Sequence, residues 1–215
     1  DRYRLALAVH DCEQILMIER ARLSSQIAVW LKLNTGLNRL GFARSQFGAA
    51  YNRLQAGGKV AAISLMTHFA DADGPAGIAA PLACFVESTA GLQGEVTLAN
   101  SAAVLRYPET HADWVRPGIM LYGCSPFADV SAQALDLRPV MTLTSEIIAI
   151  QDLKPGDRVG YGGTFVALQA MRIGVVACGY ADGYPRHAPG FNDGNTPIVV
   201  AGKRTATVGR VSMDM

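Results

Sequence analysis

The sequence predicts an α/β protein in two parts. Residues 1–135 form a partial (β/α)8 barrel of the TIM type, and residues 136–215 form part of an all-β domain. Three observations carry this expectation. Short apolar runs alternate with segments of helical spacing through the first part. The runs are apolar at successive positions, as in a parallel sheet covered by helices on both faces. Beyond about residue 135 the helical spacing stops, and short apolar runs separated by Gly, Pro and Asp take over.

Residues 5–9, Leu-Ala-Leu-Ala-Val, read as a strand. Residues 11–24 place Cys12, Ile15, Leu16, Ile18 and Leu23 at helical spacing. Residues 27–33 are a near-continuous apolar strand, residues 45–56 a helix opening at Ser45, and residues 60–67 another apolar strand. A helix over 80–92, a strand over 96–99, a short helix over 101–106 and a strand over 118–122 complete the first part. Ser125, Pro126 and Pro139 punctuate the junction. The second part is expected to hold strands at 141–150, 172–177, 198–200 and 206–211. About five β/α strands fall short of the eight of a closed barrel, which takes about 250 residues. The chain is therefore expected to be truncated at both ends, with open sheet edges.

The 215 residues are 50% apolar and 17% charged, against about 25% charged in an average domain. That is enough apolar material for a core and too little charge for disorder. The net charge is +1 with no basic stripe, which argues against nucleic acid as a partner. No apolar run is long enough to span a membrane. The first residues, Asp-Arg-Tyr-Arg, lack the order of a signal peptide. Cys12, Cys84, Cys124 and Cys178 have neither metal-site nor disulfide-framework spacing. They are expected to be buried thiols in a reducing cytoplasm, with no metal bound.

Several segments place polar groups where barrel strands end, the usual location of sites in such folds. In residues 30–42, Lys32 sits in an apolar strand and Arg39 follows seven positions later. An ammonium there needs a partner, and an arginine holds a planar anion with two bonds. A surface Arg beside an extended Lys fits the pattern as well. His68 closes a strand, and a satisfied structural histidine would look the same. Asn100 and Ser101 stand where a strand turns into a helix, as anion ligands or as ordinary caps. Arg116 precedes Pro117 and Gly118, and a glycine lets backbone N–H groups approach a phosphate. In the second part Tyr161 lies among glycines in Gly-Tyr-Gly-Gly-Thr-Phe.

Seven segments, these five and two more, taken in order, resemble one family. L-K-L-N-T-G-L-N-R-L-G-F, T-H-F-A-D-A-D, A-N-S-A-A, V-R-P-G-I-M-L-Y-G, G-Y-G-G-T-F, G-Y-A-D-G-Y and V-S-M-D follow the pattern of the alanine racemases along nearly the whole chain. The resemblance implies a pyridoxal-phosphate (PLP) enzyme that interconverts L- and D-alanine by a two-base mechanism and supplies D-alanine for peptidoglycan. Tyr161 would be one base. Arg39 would contact the cofactor's phenolic oxygen and the substrate carboxylate, Arg116 the pyridine nitrogen, and His68 the ring. Ser101, Gly118 and Ile119 would bind the phosphate, and Met213 the substrate through its backbone. Lys32 matches a lysine carbamylated in some members, and Asn34 stands where many carry Asp. A homodimer is implied, with Tyr161 and Met213 completing the partner's site.

The family's other base, a lysine that holds PLP as a Schiff base within an A-x-x-K-A-N-A-Y-like segment, has no match in these 215 residues. These residues by themselves are expected to be inactive. A phenol ordinarily titrates near about 10, so a tyrosine base needs positive charge beside it. His68 and Arg116 are the candidates, in a relay with Tyr161. A racemase of broader amino-acid specificity and a non-catalytic PLP-binding barrel protein are the alternatives, and the segment carrying Tyr161 counts against the second.

Overall fold

A computed structural model describes Tyr3, residues 5–188 and residues 196–215. The backbone divides into two units, Asp1–Met141 and Thr142–Met215.

In the first unit, strands β1 (Leu7–Val9), β2 (Ile27–Lys32), β3 (Val60–Met66) and β4 (Val96–Thr97) form a parallel sheet in the order of the chain. Helices α1 (Cys12–Arg20), α2 (Arg44–Ala56), α3 (Ala79–Thr89) and α4 (Ser101–Arg106) each follow a strand. Parallel neighbours require such crossovers. Ile27, Val29 and Leu31 of β2 point into a core with Ile15 and Ile18 of α1, Phe47, Tyr51 and Leu54 of α2, and Phe85 of α3. Ala28 and its partner Ala62 in β3 are exposed. β2 thus buries alternate residues, whereas β3 buries the consecutive Ser64 and Leu65.

Local chemistry sets the helix ends. The Asp11 carboxylate accepts from Glu13 N (2.8 Å) and starts α1. Asn100 Oδ1 accepts from Ala103 N (3.1 Å) and starts α4. Each is an ordinary cap of free N–H groups. α2 starts at Arg44 with no side-chain cap, so Ser45 does not open it. α1 stops at Arg20, short of the expected 24, because Ala21 turns extended. Lys59 Nζ then donates to Glu19 O and Ala21 O, both at 2.5 Å, while Arg53 grips the Glu19 carboxylate at 2.7 Å through both Nε and Nη2.

Residues 118–122 are not a strand. Ile119–Tyr122 make a 3-10 turn that ends on Gly123 in the left-handed region (φ 82°). Leu121 N donates to Gly118 O and Gly123 N to Met120 O, both at 3.0 Å. Short apolar runs do not discriminate strand from helix by themselves. The sheet consequently has four strands rather than about five. Past β4, Trp114 packs edge-to-face on Trp30, with ring centroids 6.0 Å apart, and its Nε1 donates to Glu95 Oε2 (2.8 Å).

The second unit is built from antiparallel pairs. β5 (Ile147–Leu153) pairs with β8 (Met171–Val176), β6 (Arg158–Val159) with β7 (Phe165–Val166), and β9 (Pro197–Val200) with β10 (Lys203–Ala206). The strand expected from residue 141 begins at Ile147, and the one expected over 206–211 is Lys203–Ala206. Ala167 and Val211 are its buried apolar residues among those described.

The cysteines are free, as expected, but they are not buried. Cys12 and Cys124 are exposed, and Cys84 and Cys178 are partly so. Cys12 opens α1, and Cys124 follows the Gly123 turn. Among the described residues there is no His/Cys/Asp/Glu cluster fit for a metal ion, and no helix long and apolar enough to cross a membrane.

Candidate functional site

Lys32, Arg39, His68 and Arg116 come together at the ends of β2 and β3. Lys32 closes β2, and backbone bonds from Phe42 N to Lys32 O (2.8 Å) and from Asn34 N to Phe42 O (2.9 Å) pinch the following loop shut. Inside that loop Asn34 Oδ1 accepts from Gly36 N and Asn38 N, both at 3.1 Å, and Asn34 Nδ2 donates to Asn38 Oδ1 (2.9 Å). Asn34 therefore shapes the loop that carries Arg39. Gly41 is required there, because its φ is 133° and a Cβ would come within 2.7 Å of Asn34 N.

The electrostatics of the cluster are one-sided. Burial pushes the Lys32 ammonium below its ordinary pKa, and Arg39 and then Arg116 push it further. His68 is lowered to about 4 by burial first, then by Arg116, Arg39 and Lys32. It is neutral at pH 7, so it does not supply the positive charge expected of it for a tyrosine base. Burial also lowers Arg116, which nonetheless stays a cation because an arginine holds its proton past about 12. Among the described residues no carboxylate lies within ion-pair distance of Lys32, Arg39 or Arg116. Such concentrated cationic charge without a partner is costly unless an anion joins it.

Arg116 is held entirely by acceptors. Nη1 donates to Thr97 Oγ1, and Nη2 donates to Thr67 O (2.6 Å) and Leu98 O (3.4 Å), with His68 Nδ1 at 3.5 Å. Arg116 N also donates to Ala99 O (2.9 Å). Thr67 and Thr97 are fully buried. Sequence reading passed over both, because a threonine in an apolar strand looks like an ordinary β-former. The available signal was a hydroxyl at the ends of two neighbouring strands. Nearby, Ser101 Oγ accepts from Gly118 N (2.7 Å) and Met120 N (3.4 Å), which leaves its own proton to donate elsewhere. A Cβ at Gly118 would meet nothing closer than Ser101 Oγ at 3.8 Å, so the space before it is open. Ile119 stands beside it, half exposed.

Tyr161 and Met213 lie in the second unit. Tyr161 is 68% exposed and opens a 3-10 turn, Tyr161–Gly163. Gly160, Gly162 and Gly163 all have left-handed φ (73°, 76° and 53°), which glycine adopts freely. Arg158 Nη1 donates to Gly163 O (3.1 Å) and braces the turn. The Gly-Tyr-Ala-Asp-Gly-Tyr and Val-Ser-Met-Asp segments are bonded to each other, Tyr180 N to Ser212 O (3.0 Å) and Ala181 N to Met213 O (2.8 Å). A Cβ at Gly179 would lie 2.2 Å from Met213 O, so that crossing demands glycine.

Family models match two stretches of the chain. The family model "Alanine racemase, N-terminal domain" matches residues 1–126, and "Alanine racemase, C-terminal domain" matches residues 140–215. The chain belongs to the alanine racemase family. It is 55% identical over 218 aligned positions to an alanine racemase of Ralstonia nicotianae, covering all of this chain and 58% of that protein. It is 54% identical to one from Nitrosospira multiformis, covering 60% of that protein. The biosynthetic alanine racemase of Pseudomonas aeruginosa superposes with a TM-score of 0.87 at 43% identity, over 99% of this chain and 59% of the other. That of Streptomyces coelicolor gives 0.87 at 35% identity. The chain thus spans little more than half the length of the alanine racemases it matches. Its fold is part of their barrel followed by part of their β domain.

Proposed function

We propose that the whole protein is a PLP-dependent alanine racemase, in which these residues provide the cofactor cradle and one of two bases. The observation that carries the reading is the cation cluster with no carboxylate beside it. A phosphorylated, phenolic cofactor supplies the missing anion, and the Ser101 hydroxyl and the open space at Gly118 suit its phosphate. When bound, PLP withdraws electrons from the substrate Cα and so acidifies its proton.

The chain's own residues do the rest. Arg39 would hold the substrate carboxylate and the phenolic oxygen. Arg116, a permanent donor, would face the pyridine nitrogen, and a donor there would leave that nitrogen without a proton and restrain side reactions such as transamination. Neutral His68 would lie beside the ring. Gly118, Ile119 and Ser101 would hold the phosphate. Tyr161 takes or returns the Cα proton on one face, and a lysine outside these residues serves the other. A single base would tend to return its own proton, so inversion calls for two. Met213 lines the substrate with its backbone.

The same reading makes the enzyme a homodimer, with Tyr161 and Met213 completing the partner's site, and places it in the cytoplasm as a source of D-alanine for peptidoglycan. Lys32 is proposed to carry a carbamate. As an ammonium it repels Arg39 and Arg116, whereas a carbamate attracts both. In the full-length protein with PLP in D2O, L-alanine should yield D-alanine carrying deuterium at Cα. A folded, PLP-loaded protein that produces no D-alanine, or produces it without deuterium, would overturn the proposal.

A further inference from the structure

We infer that Thr97 is a positioning residue for Arg116: its hydroxyl, at the end of β4, fixes the direction of the hydrogen bonds around the guanidinium. The inference rests on the proposed function where it gives Arg116 the cofactor ring, but the bond directions are independent of that reading.

A hydroxyl has one proton and two lone pairs. Thr97 Oγ1 donates its proton to Trp114 O at 2.9 Å. Towards Arg116 Nη1 it is therefore an acceptor. The other atoms around the guanidinium are acceptors as well. Thr67 O and Leu98 O are carbonyls, and the Thr67 hydroxyl is turned away to Leu33 O (3.0 Å) and Thr35 Oγ1 (2.7 Å). A guanidinium offers donors only, so His68 Nδ1, 3.5 Å from Nη2, must present its lone pair. The ring proton is then on Nε2.

Thr97 also ties the segment carrying Arg116 to the strand. Its hydroxyl holds Trp114 O while Trp114 N donates to Val96 O (3.2 Å) and Asp113 Oδ2 accepts from Val96 N (2.7 Å). One hydroxyl thus sets both the height of the Arg116 backbone and the rotation of its head. Without it Nη1 loses its acceptor, the guanidinium is held only through Nη2 on Thr67 O and Leu98 O, and its grip on the His68 tautomer loosens. The charges facing His68 are those of Arg116, Arg39 and Lys32.

The test is nitrogen NMR of the full chain without PLP, labelled at histidine, with His10, His111 and His187 as internal controls. The wild type should show His68 protonated at Nε2 and titrating near about 4. Thr97→Val, nearly the same shape without the hydroxyl, should mix the tautomers and raise the His68 midpoint by about one pH unit. Thr97→Ser should keep the wild-type pattern. Thr97→Cys, whose sulfur accepts weakly, should follow Thr97→Val and serves in its place if circular dichroism shows that variant unfolded. The inference is overturned if His68 is unchanged in folded Thr97→Val or Thr97→Cys, if Thr97→Ser shifts it equally, or if the control histidines move in step. Because the readout needs neither PLP nor alanine, loss of racemase activity with this NMR pattern intact would count against the proposed function and leave the positioning role standing.

Discussion

The two units hold their candidate site residues in opposite ways. In Asp1–Met141 the polar groups sit on buried scaffolding: Thr67 and Thr97 are at most 1% exposed, and Arg116 is fastened at four points. In Thr142–Met215 Tyr161 is 68% exposed, and its turn is shaped by glycines and braced by the Arg158 side chain. A cradle for a bound group gains from being rigid before the group arrives. Under the proposed function, a base that meets a substrate carried elsewhere need only be presented, and its final surroundings can come from what covers it.

The contrast is sharpest at Tyr161. In the full-length protein Tyr161→Phe should slow proton exchange at one face of Cα by about 10²–10⁴-fold, while PLP affinity changes little. Deuterium uptake from each enantiomer and a PLP titration measure the two. An equal loss of cofactor would erase the distinction between the units. Packing should show the same asymmetry. Leu31→Ala, at a site 0% exposed in the first unit, should cost about 2–5 kcal/mol. Val211→Ala in the second should cost about 1–2 kcal/mol. Urea unfolding of the two variants compares them, and similar losses would show a second core as tight as the first.

Acid should weaken the first unit through His68. Its folded pKa is about 4, below the ordinary 6.5 of an unfolded chain. As pH falls past 6.5 the unfolded chain takes up the proton first, so stability declines until about pH 4 and then levels off. After solvent screening the loss is about 2 kcal/mol. Melting against pH should show this slope, and His68→Gln should flatten it. The smallest effect belongs to a cap: Asn100→Ala should cost about 1 kcal/mol, read from the same melts, and leave Tyr161 exchange chemistry untouched.

Much of the first unit was legible because near-continuous apolar runs such as 27–33 give way to segments of helical spacing, where Phe47, Tyr51 and Leu54 recur. The alternate burial of Ile27, Val29 and Leu31 was not marked, because Ala28 and Trp30 between them are apolar too. Residues 118–122 were not, because a five-residue apolar run fits either geometry and the deciding feature, the left-handed backbone at Gly123, is a conformation rather than a composition. In the second unit the strands expected over 172–177 and 198–200 fall within one residue of those observed, whereas those expected over 141–150 and 206–211 slipped by several residues, because short, largely exposed strands carry little alternation to mark their ends. At the site, the charged residues stood out in apolar surroundings. Thr67 and Thr97 did not, since their importance lies in which atoms their hydroxyls face. The neutrality of His68 was hidden for the same reason: it comes first from burial and then from Arg116, Arg39 and Lys32, which the fold brings beside it.

The edge-to-face pair has a practical consequence. Both tryptophans of the chain, Trp30 and Trp114, belong to the first unit. Indole fluorescence excited past the tyrosine band therefore comes from that unit alone, with no label added. Glu95 on the Trp114 ring nitrogen and Trp30 against its face make the emission sensitive to any loosening near β4. Indole emission followed through a denaturation experiment then reports when that unit, and not the other, lets go.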